Sequence, residues 1–203
     1  MKISYAVTAY NEERELKLLL PFLLEKKREE DEVLVLMDNR GPEELKEYCR
    51  SLEGIRFYEF PFLGNFSGWK NLMTRLCYGE VVFQIDADEM PTEHLMKAVP
   101  WVMEQNPDLE LAYVPRINKV EGLTEEWIMR WGWKVDERGW VNFPDYQSRI
   151  YRRQEHIRWK GRVHETIKGH RTFDYLPPSE DFCLLHVKTL DKQIQQNTYY
   201  DTL

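Results

Sequence analysis

The sequence is short of the features that take a chain out of the ordinary globular class. Its three cysteines, Cys49, Cys77 and Cys183, are far apart and form no C-x-x-C pair, which argues against a disulfide framework or a structural zinc site. The longest apolar runs, Leu18 to Leu24 and Val33 to Met37, fall far short of the ~20 residues of a membrane span. No extended apolar region marks the N-terminus as a secretory signal, so a cytoplasmic location is the expectation. Low-complexity tracts and internal repeats are missing, which argues against disorder. Positive charge is scarce: 28 Lys and Arg against 35 Asp and Glu leave a net charge of −7. That balance disfavours nucleic acid as a partner and leaves small anions held through a metal. Glycine is absent from TAYNEER, Thr8 to Arg14, where a phosphate-binding loop after a first strand would need it.

What remains is a 203-residue chain, 42% hydrophobic, long enough to bury one substantial core. We read it as a single domain over 1–203. Lys2 to Thr8 is rich in strand formers, and Asn11 is the expected N-cap of a helix with Glu12 and Glu13 against its dipole. Glu15 to Lys27 continues helically, with Pro21 an expected kink or break. Val33 to Met37 reads as a buried strand, Pro42 to Leu52 as a helix, Ile55 to Phe60 as a strand, Ser67 to Tyr78 as a helix and Val81 to Ile85 as a strand. Such alternation predicts an α/β fold with a mostly parallel central sheet covered by helices. Thr92 to Met103 follows as a helix and Leu111 to Ile117 as a strand. After Asn118 the texture becomes irregular and aromatic, with Trp127, Trp131, Trp133, Trp140 and Trp159. Gln147 to Arg152, Arg162 to Ile167 and Phe182 to Val187 read as short strands, and Leu190 to Tyr200 as a closing helix. The stop at Leu203, just after that pattern, leaves room for a longer parent chain.

Ligands of parallel sheets gather beyond the carboxyl ends of the strands, and those ends carry Thr8 to Asn11, Asp38 and Asp86 to Glu89. On an extended strand Asp86 and Asp88 aim two carboxylates to one side while Ala87 faces away. A lone D-x-D serves a turn or caps a helix as readily as it binds anything. At this rim, paired hard oxygens suit Mg²⁺ or Mn²⁺, whose shell is completed by substrate phosphate oxygens, so a diphosphate-bearing ligand is implied. Glu89, on the opposite face, reads as a turn residue or a support.

SYAVTAYNEERELKLLLPFL, a second strand ending in Asp38, and GNFSGWKNLMTRLCYGEVVFQIDADEMP together resemble the donor half of family 2 glycosyltransferases with the GT-A fold. The resemblance implies a Rossmann-like sheet and donor contacts from Thr8, Tyr10, Asn11, Glu12, Asp38, Lys70, Asn71, Asp86 and Ala87. It also implies a nucleotide-diphospho-sugar donor, UDP-linked first, with metal at Asp86 and Asp88. The stretch DNRGPEE departs from the D-D-x-S-x-D-x-T stretch of many members. QSRIYRRQEHIRWKGRVHETI is similar to a segment of a subgroup that includes lipopolysaccharide-core sugar transferases. Residues 1–91 are then the nucleotide-sugar half and 92–203 a smaller, aromatic-rich acceptor side.

The activity implied is transfer of a sugar, with inversion, to a glycan, lipid-linked or other hydroxyl. An inverting enzyme needs a carboxylate to deprotonate the acceptor. Glu165 of V-H-E is the candidate, with Asp88 serving the leaving diphosphate and Asp145, Glu180 and Asp181 as alternative bases. His186 is preferred over His164 as the further metal ligand. Of six cations between Arg149 and Arg162, one or two are expected at the site. The tryptophans serve either as a platform for sugar rings or as packing. The rival readings are a nucleotidyltransferase making an activated sugar, which TAYNEER disfavours, and a non-catalytic carbohydrate-binding module.

Overall fold

The structure is a computed structural model that describes residues 1–200; Asp201 to Leu203, where the chain stops, lie outside the described residues. In chain order the elements are β1 (Ile3–Ala9), α1 (Glu13–Lys26), β2 (Glu32–Asp38), α2 (Glu43–Ser51), β3 (Ile55–Phe60), α3 (Phe66–Leu76), β4 (Val81–Asp86), β5 (Glu89–Pro91) and α4 (Glu93–Gln105). There follow β6 (Leu111–Val114), β7 (Arg116–Glu121), α5 (Glu125–Trp131), β8 (Gln147–Arg152), β9 (Arg158–Lys160), β10 (Thr166–Lys168) and β11 (Phe173–Tyr175). A one-turn 3-10 helix (Glu180–Phe182), β12 (Leu184–Thr189) and α6 (Leu190–Tyr200) complete the order.

The expected α/β architecture is present. A seven-stranded sheet runs β11-β6-β8-β4-β1-β2-β3. β1 pairs in parallel with both β2 and β4, and β8 is antiparallel to both β4 and β6. Because the strand order reverses at β1, the crevice beyond the ends of β1, β2 and β4 is where such a sheet takes ligands. β2 is buried at every residue, as a strand covered on both faces must be. Tyr5 and Val7 of β1 enter one core with Leu16, Leu19, Leu20 and Leu23 of α1, while Ala6 enters a second core with Trp69 and Met73 of α3. Leu16, Leu19, Leu20 and Leu23 sit at helical spacing on one face of α1. α1 runs unbroken through Pro21, which is exposed, so the lost backbone bond falls on the solvent side.

Three expectations about elements are corrected. The strand foreseen over Leu111 to Ile117 is split at Pro115: β6 belongs to the large sheet, and β7 to a separate three-stranded sheet, β5-β12-β7. The strand foreseen over Arg162 to Ile167 is instead a loop over residues 161–165 between β9 and β10, with positive φ at Gly161 (104°) and His164 (51°). The helix foreseen to be capped by Asn11 starts one residue later: Glu12 is the cap residue, and its carboxylate accepts from the N–H groups of Tyr10 and Asn11 (2.8 and 3.1 Å). The aromatic segment holds a short helix, α5, none of whose residues is buried. Trp140 and Trp159 pack into the interior, whereas Trp127, Trp131 and Trp133 lie against one another at 4.6 and 4.4 Å. Among the described residues no helix is long and apolar enough to cross a membrane.

Candidate active site

Asp86 closes β4 directly beside its register partner, Thr8 of β1. Thr8 Oγ1 and Gln84 Nε2 donate to Asp86 Oδ1 at 3.2 and 2.8 Å, and Lys70 Nζ of α3 lies 3.2 Å from the same oxygen. Arg149 Nη2 of β8 donates to Asp86 Oδ2 at 2.5 Å and to Glu89 Oε1 at 2.6 Å; the guanidinium also grips the Gln84 amide oxygen. Burial alone would raise the Asp86 pKa, but Arg149, Lys70 and Gln84 outweigh it and hold the carboxyl well below its usual range.

Strand β4 ends at Asp86, so Ala87 and Asp88 form a turn before β5. The expected arrangement of two carboxylates on one face of a single extended strand is therefore replaced by a bend. Its cause is a set of backbone anchors: the Ala87 N–H donates to Thr8 O (3.2 Å), and the Asp86 N–H donates to the fully buried Glu89 carboxylate (3.1 Å). Asp88 is turned toward β12, with His186 Nε2 3.2 Å and Lys188 Nζ 3.9 Å from its Oδ2. Burial opposes its ionisation, yet His186 and Lys188 leave its pKa below the ordinary value. Burial likewise depresses the Lys188 ammonium.

The other candidates fall into place around this turn. Asp38 is buried at the end of β2 and clamped by Arg40 (Nη2 to Oδ2, 2.5 Å). Tyr10 is exposed on the β1–α1 turn, and Glu12 beneath it has a raised pKa, chiefly from burial and in part from the Asp88 charge. Asn71 spends its amide on the backbone of Trp159, donating to its carbonyl (2.9 Å) and accepting from its N–H (3.0 Å), so it fastens β9 to α3. Glu165 lies 2.7 Å from Lys70 Nζ, and the same ammonium sits 4.7 Å over the Trp159 ring. The loop carrying Glu165 is tied to the G-N-F segment by the Phe66 N–H to Arg162 O (3.1 Å) and Arg162 Nε to Gly64 O (3.1 Å). Of the alternative bases, Asp145 is held by Arg116, Asn118 and Gln147, while Glu180 and Asp181 line a different cleft with Lys119 and Trp140.

Arg149, Arg116, Asn118 and Lys188 were not singled out by sequence. Arg149 was one of six clustered cations, and only its place in β8, facing Gln84 and Asp86, separates it from the surface ones. The alternation of β12, with Leu184, His186 and Lys188 buried and Leu185 and Val187 exposed, is the signal that would have found Lys188.

Among the described residues no three His, Cys, Asp or Glu side chains are gathered as a closed metal cage. An open Mn²⁺ or Mg²⁺ site asks for less, because phosphate oxygens and water supply most of its shell. Asp88 and His186, a hard oxygen and an imidazole side by side, fit that requirement. Asp86, with both oxygens engaged by protein donors, supports the turn.

The sequence pattern described as Glycosyl transferase family 2 matches residues 4–175. Among solved structures the chain resembles TarS of S. aureus. The TarS 1–349 crystal structure gives a TM-score of 0.64 at 16% identity, covering 92% of this chain and 60% of that one. Its complex with UDP-GlcNAc gives 0.65 at 17% identity, covering 93% and 59%. The complex with UDP gives 0.57 at 18% identity, covering 90% and 62%. The chain thus spans about 60% of the length of these structures, and the likeness places it in the same GT-A fold. No curated protein sequence matches the chain.

Proposed function

The chain belongs to glycosyl transferase family 2, and on that premise we propose that it moves a sugar from a nucleotide-diphospho-sugar to an acceptor hydroxyl, with a divalent metal and with inversion. UDP is the favoured nucleotide, because TarS, similar in fold, is seen with UDP-GlcNAc and UDP. The observation that carries the reading is the position of Lys70, a buried ammonium 3.2 Å from Asp86 of D-A-D and 2.7 Å from Glu165 of V-H-E. Donor-side residues 1–91 and acceptor-side residues 92–203 meet over that one charge.

In this reading Thr8, the turn from Tyr10 to Glu12 and Asp38 face the nucleoside end of the donor, and Lys70 brings positive charge to the diphosphate. Asp88 and His186 would hold the metal, Mn²⁺ suiting the imidazole better than Mg²⁺. When bound, the metal supplies charge that stabilises the departing nucleoside diphosphate. Glu165 takes the acceptor proton as the hydroxyl oxygen bonds to the anomeric carbon and the diphosphate leaves from the opposite side.

The test is a panel of UDP-, GDP-, CDP- and TDP-sugars with Mn²⁺, followed by thermal shift and slow donor hydrolysis. A UDP-sugar at a hundredfold excess over its Kd raises stability by about 2.7 kcal/mol, and Asp88→Ala abolishes the Mn²⁺-dependent part. Absence of a shift with every donor overturns the transferase reading. A full Mn²⁺ response in Asp88→Ala removes that residue from the metal.

A further inference from the structure

We propose that Asn118 and Asp145 form a positioning relay that fixes the tautomer of His186, so that Nε2 turns a lone pair toward the space it shares with Asp88. The inference rests on the metal-dependent reading above. It starts from Asp145, a carboxylate that accepts from Arg116 (Nη2 2.6 Å, Nε 3.0 Å), Gln147 Nε2 (2.9 Å) and Asn118 Nδ2 (2.8 Å). An ionised carboxylate only accepts, so the end of the Asn118 amide that faces it must be the NH₂ group. The other end, Oδ1, then faces His186 Nδ1 at 2.7 Å. An amide oxygen also only accepts, so Nδ1 carries a proton, and Nε2 is the nitrogen whose lone pair a metal could take.

Nε2 faces Asp88 Oδ2 at 3.2 Å. At this distance the two atoms share a cation, either a proton on Nε2 or a metal ion in its place. Lys188, 3.9 Å from Asp88 on the same face of β12, already balances charge there, so the relay adds direction rather than charge.

The sheet builds the relay into its register. Glu89, His186 and Asn118 are aligned partners across β5, β12 and β7, which places them in one row. Arg116, two residues before Asn118 on the same face of β7, joins Glu89 Oε1 (2.9 Å) to Asp145. On the far side, the Val141 N–H donates to the Asn118 carbonyl (2.9 Å), so the backbone that presents the amide is anchored. An imidazole held at its second nitrogen is the arrangement by which supporting groups orient a metal ligand.

The experiment is a double-mutant cycle on Mn²⁺ affinity, read by electron paramagnetic resonance of free Mn²⁺ in the presence of UDP. Asn118→Leu should weaken Mn²⁺ binding by about 10- to 100-fold, and adding it to His186→Ala should cause no further loss, because both remove the same ligand. Metal-free UDP binding should be unchanged in Asn118→Leu. Should that variant fail to fold, Asp145→Asn, which lets the Asn118 amide turn over, is expected to weaken Mn²⁺ in the same non-additive way. Unchanged Mn²⁺ affinity in Asn118→Leu, or losses that add to those of His186→Ala, overturn the relay alone. Failure of the wild-type protein to bind Mn²⁺ with UDP overturns the relay together with the metal-dependent reading.

Discussion

A carboxylate that is to take a proton from an acceptor must keep its place while ligands come and go, and Glu165 is anchored by Lys70, whose side chain is 5% exposed. Glu165→Gln keeps the size of the side chain and removes the proposed base. Donor binding should therefore persist while transfer falls by about 10²- to 10⁴-fold, measured as UDP titration beside product formation. Full transfer in that variant moves the base elsewhere. Lys70→Met should differ in kind, because it strips a buried cation from two carboxylates at once. It should cost about 3 kcal/mol of stability in chemical denaturation as well as donor affinity, and a variant as stable as wild type would show that the ammonium is not shared. Asp86, Asp88, Lys70, Glu165 and His186 were legible because acids at strand ends and a family resemblance point to them. Their partners were not: Arg149 reaches Asp86 across 63 residues of chain and Asn71 reaches Trp159 across 88, and no local pattern encodes such contacts. Asn71 illustrates the cost, since the tie by which its amide fastens α3 to β9 leaves no trace in the local sequence.

At the scale of elements, the β2–α2 loop with its DNRGPEE departure is pressed against the β1–α1 turn. A Cβ on Gly41 would meet Tyr10 O at 2.5 Å and Asp38 O at 3.1 Å. The closest neighbour, Tyr10 O, is backbone of the other loop, so an added methyl must part the two rim loops, whatever room the Met37 side chain at 3.3 Å can give. Gly41→Ala should cost about 1–3 kcal/mol and weaken UDP binding, since Asp38 and Tyr10 belong to the loops that move. Wild-type stability and UDP affinity in that variant would show that the loops separate freely. The first half of the fold was legible because its strands and helices are long enough to show their period. Beyond Asn118 the strands β9, β10 and β11 have three residues each, too few for an alternation to register. Pro115 was the overlooked sign in the split strand, where the chain leaves one sheet for another; proline is confined to such edges and bends.

Across the whole molecule the net charge of −7 coexists with a rim whose acids are individually matched. Asp86 has Arg149 and Lys70, Glu89 has Arg116 and Arg149, and Asp88 has His186 and Lys188. A second such cluster lies at the opposite ends of the central strands, where the buried Glu32 carboxylate accepts from the Gly79 N–H (3.2 Å) and Arg56 Nη1 (2.5 Å) and also takes the Ser4 hydroxyl. Burial alone would raise the Glu32 pKa, but Ser4, the Tyr78 N–H and Arg56 outweigh it and the net shift is downward. A carboxyl with a folded-state pKa below its unfolded value of about 4.3 contributes its full stability above that pH and loses it as the pH falls through the folded value. Glu32→Gln should therefore be less stable than wild type by about 2 kcal/mol at pH 7, or about 4–8 °C in Tm. The gap should begin to narrow below about pH 4.3, where the unfolded carboxyl takes up its proton, and close as the pH falls through the lowered folded value. Asp86 and Asp88, shifted in the same direction, lower both curves together in that range, so the difference between the two proteins isolates Glu32. The measurement is Tm for both from pH 7 to pH 3. A gap that stays constant across that range would mean that the Glu32 charge contributes nothing and that only its packing matters.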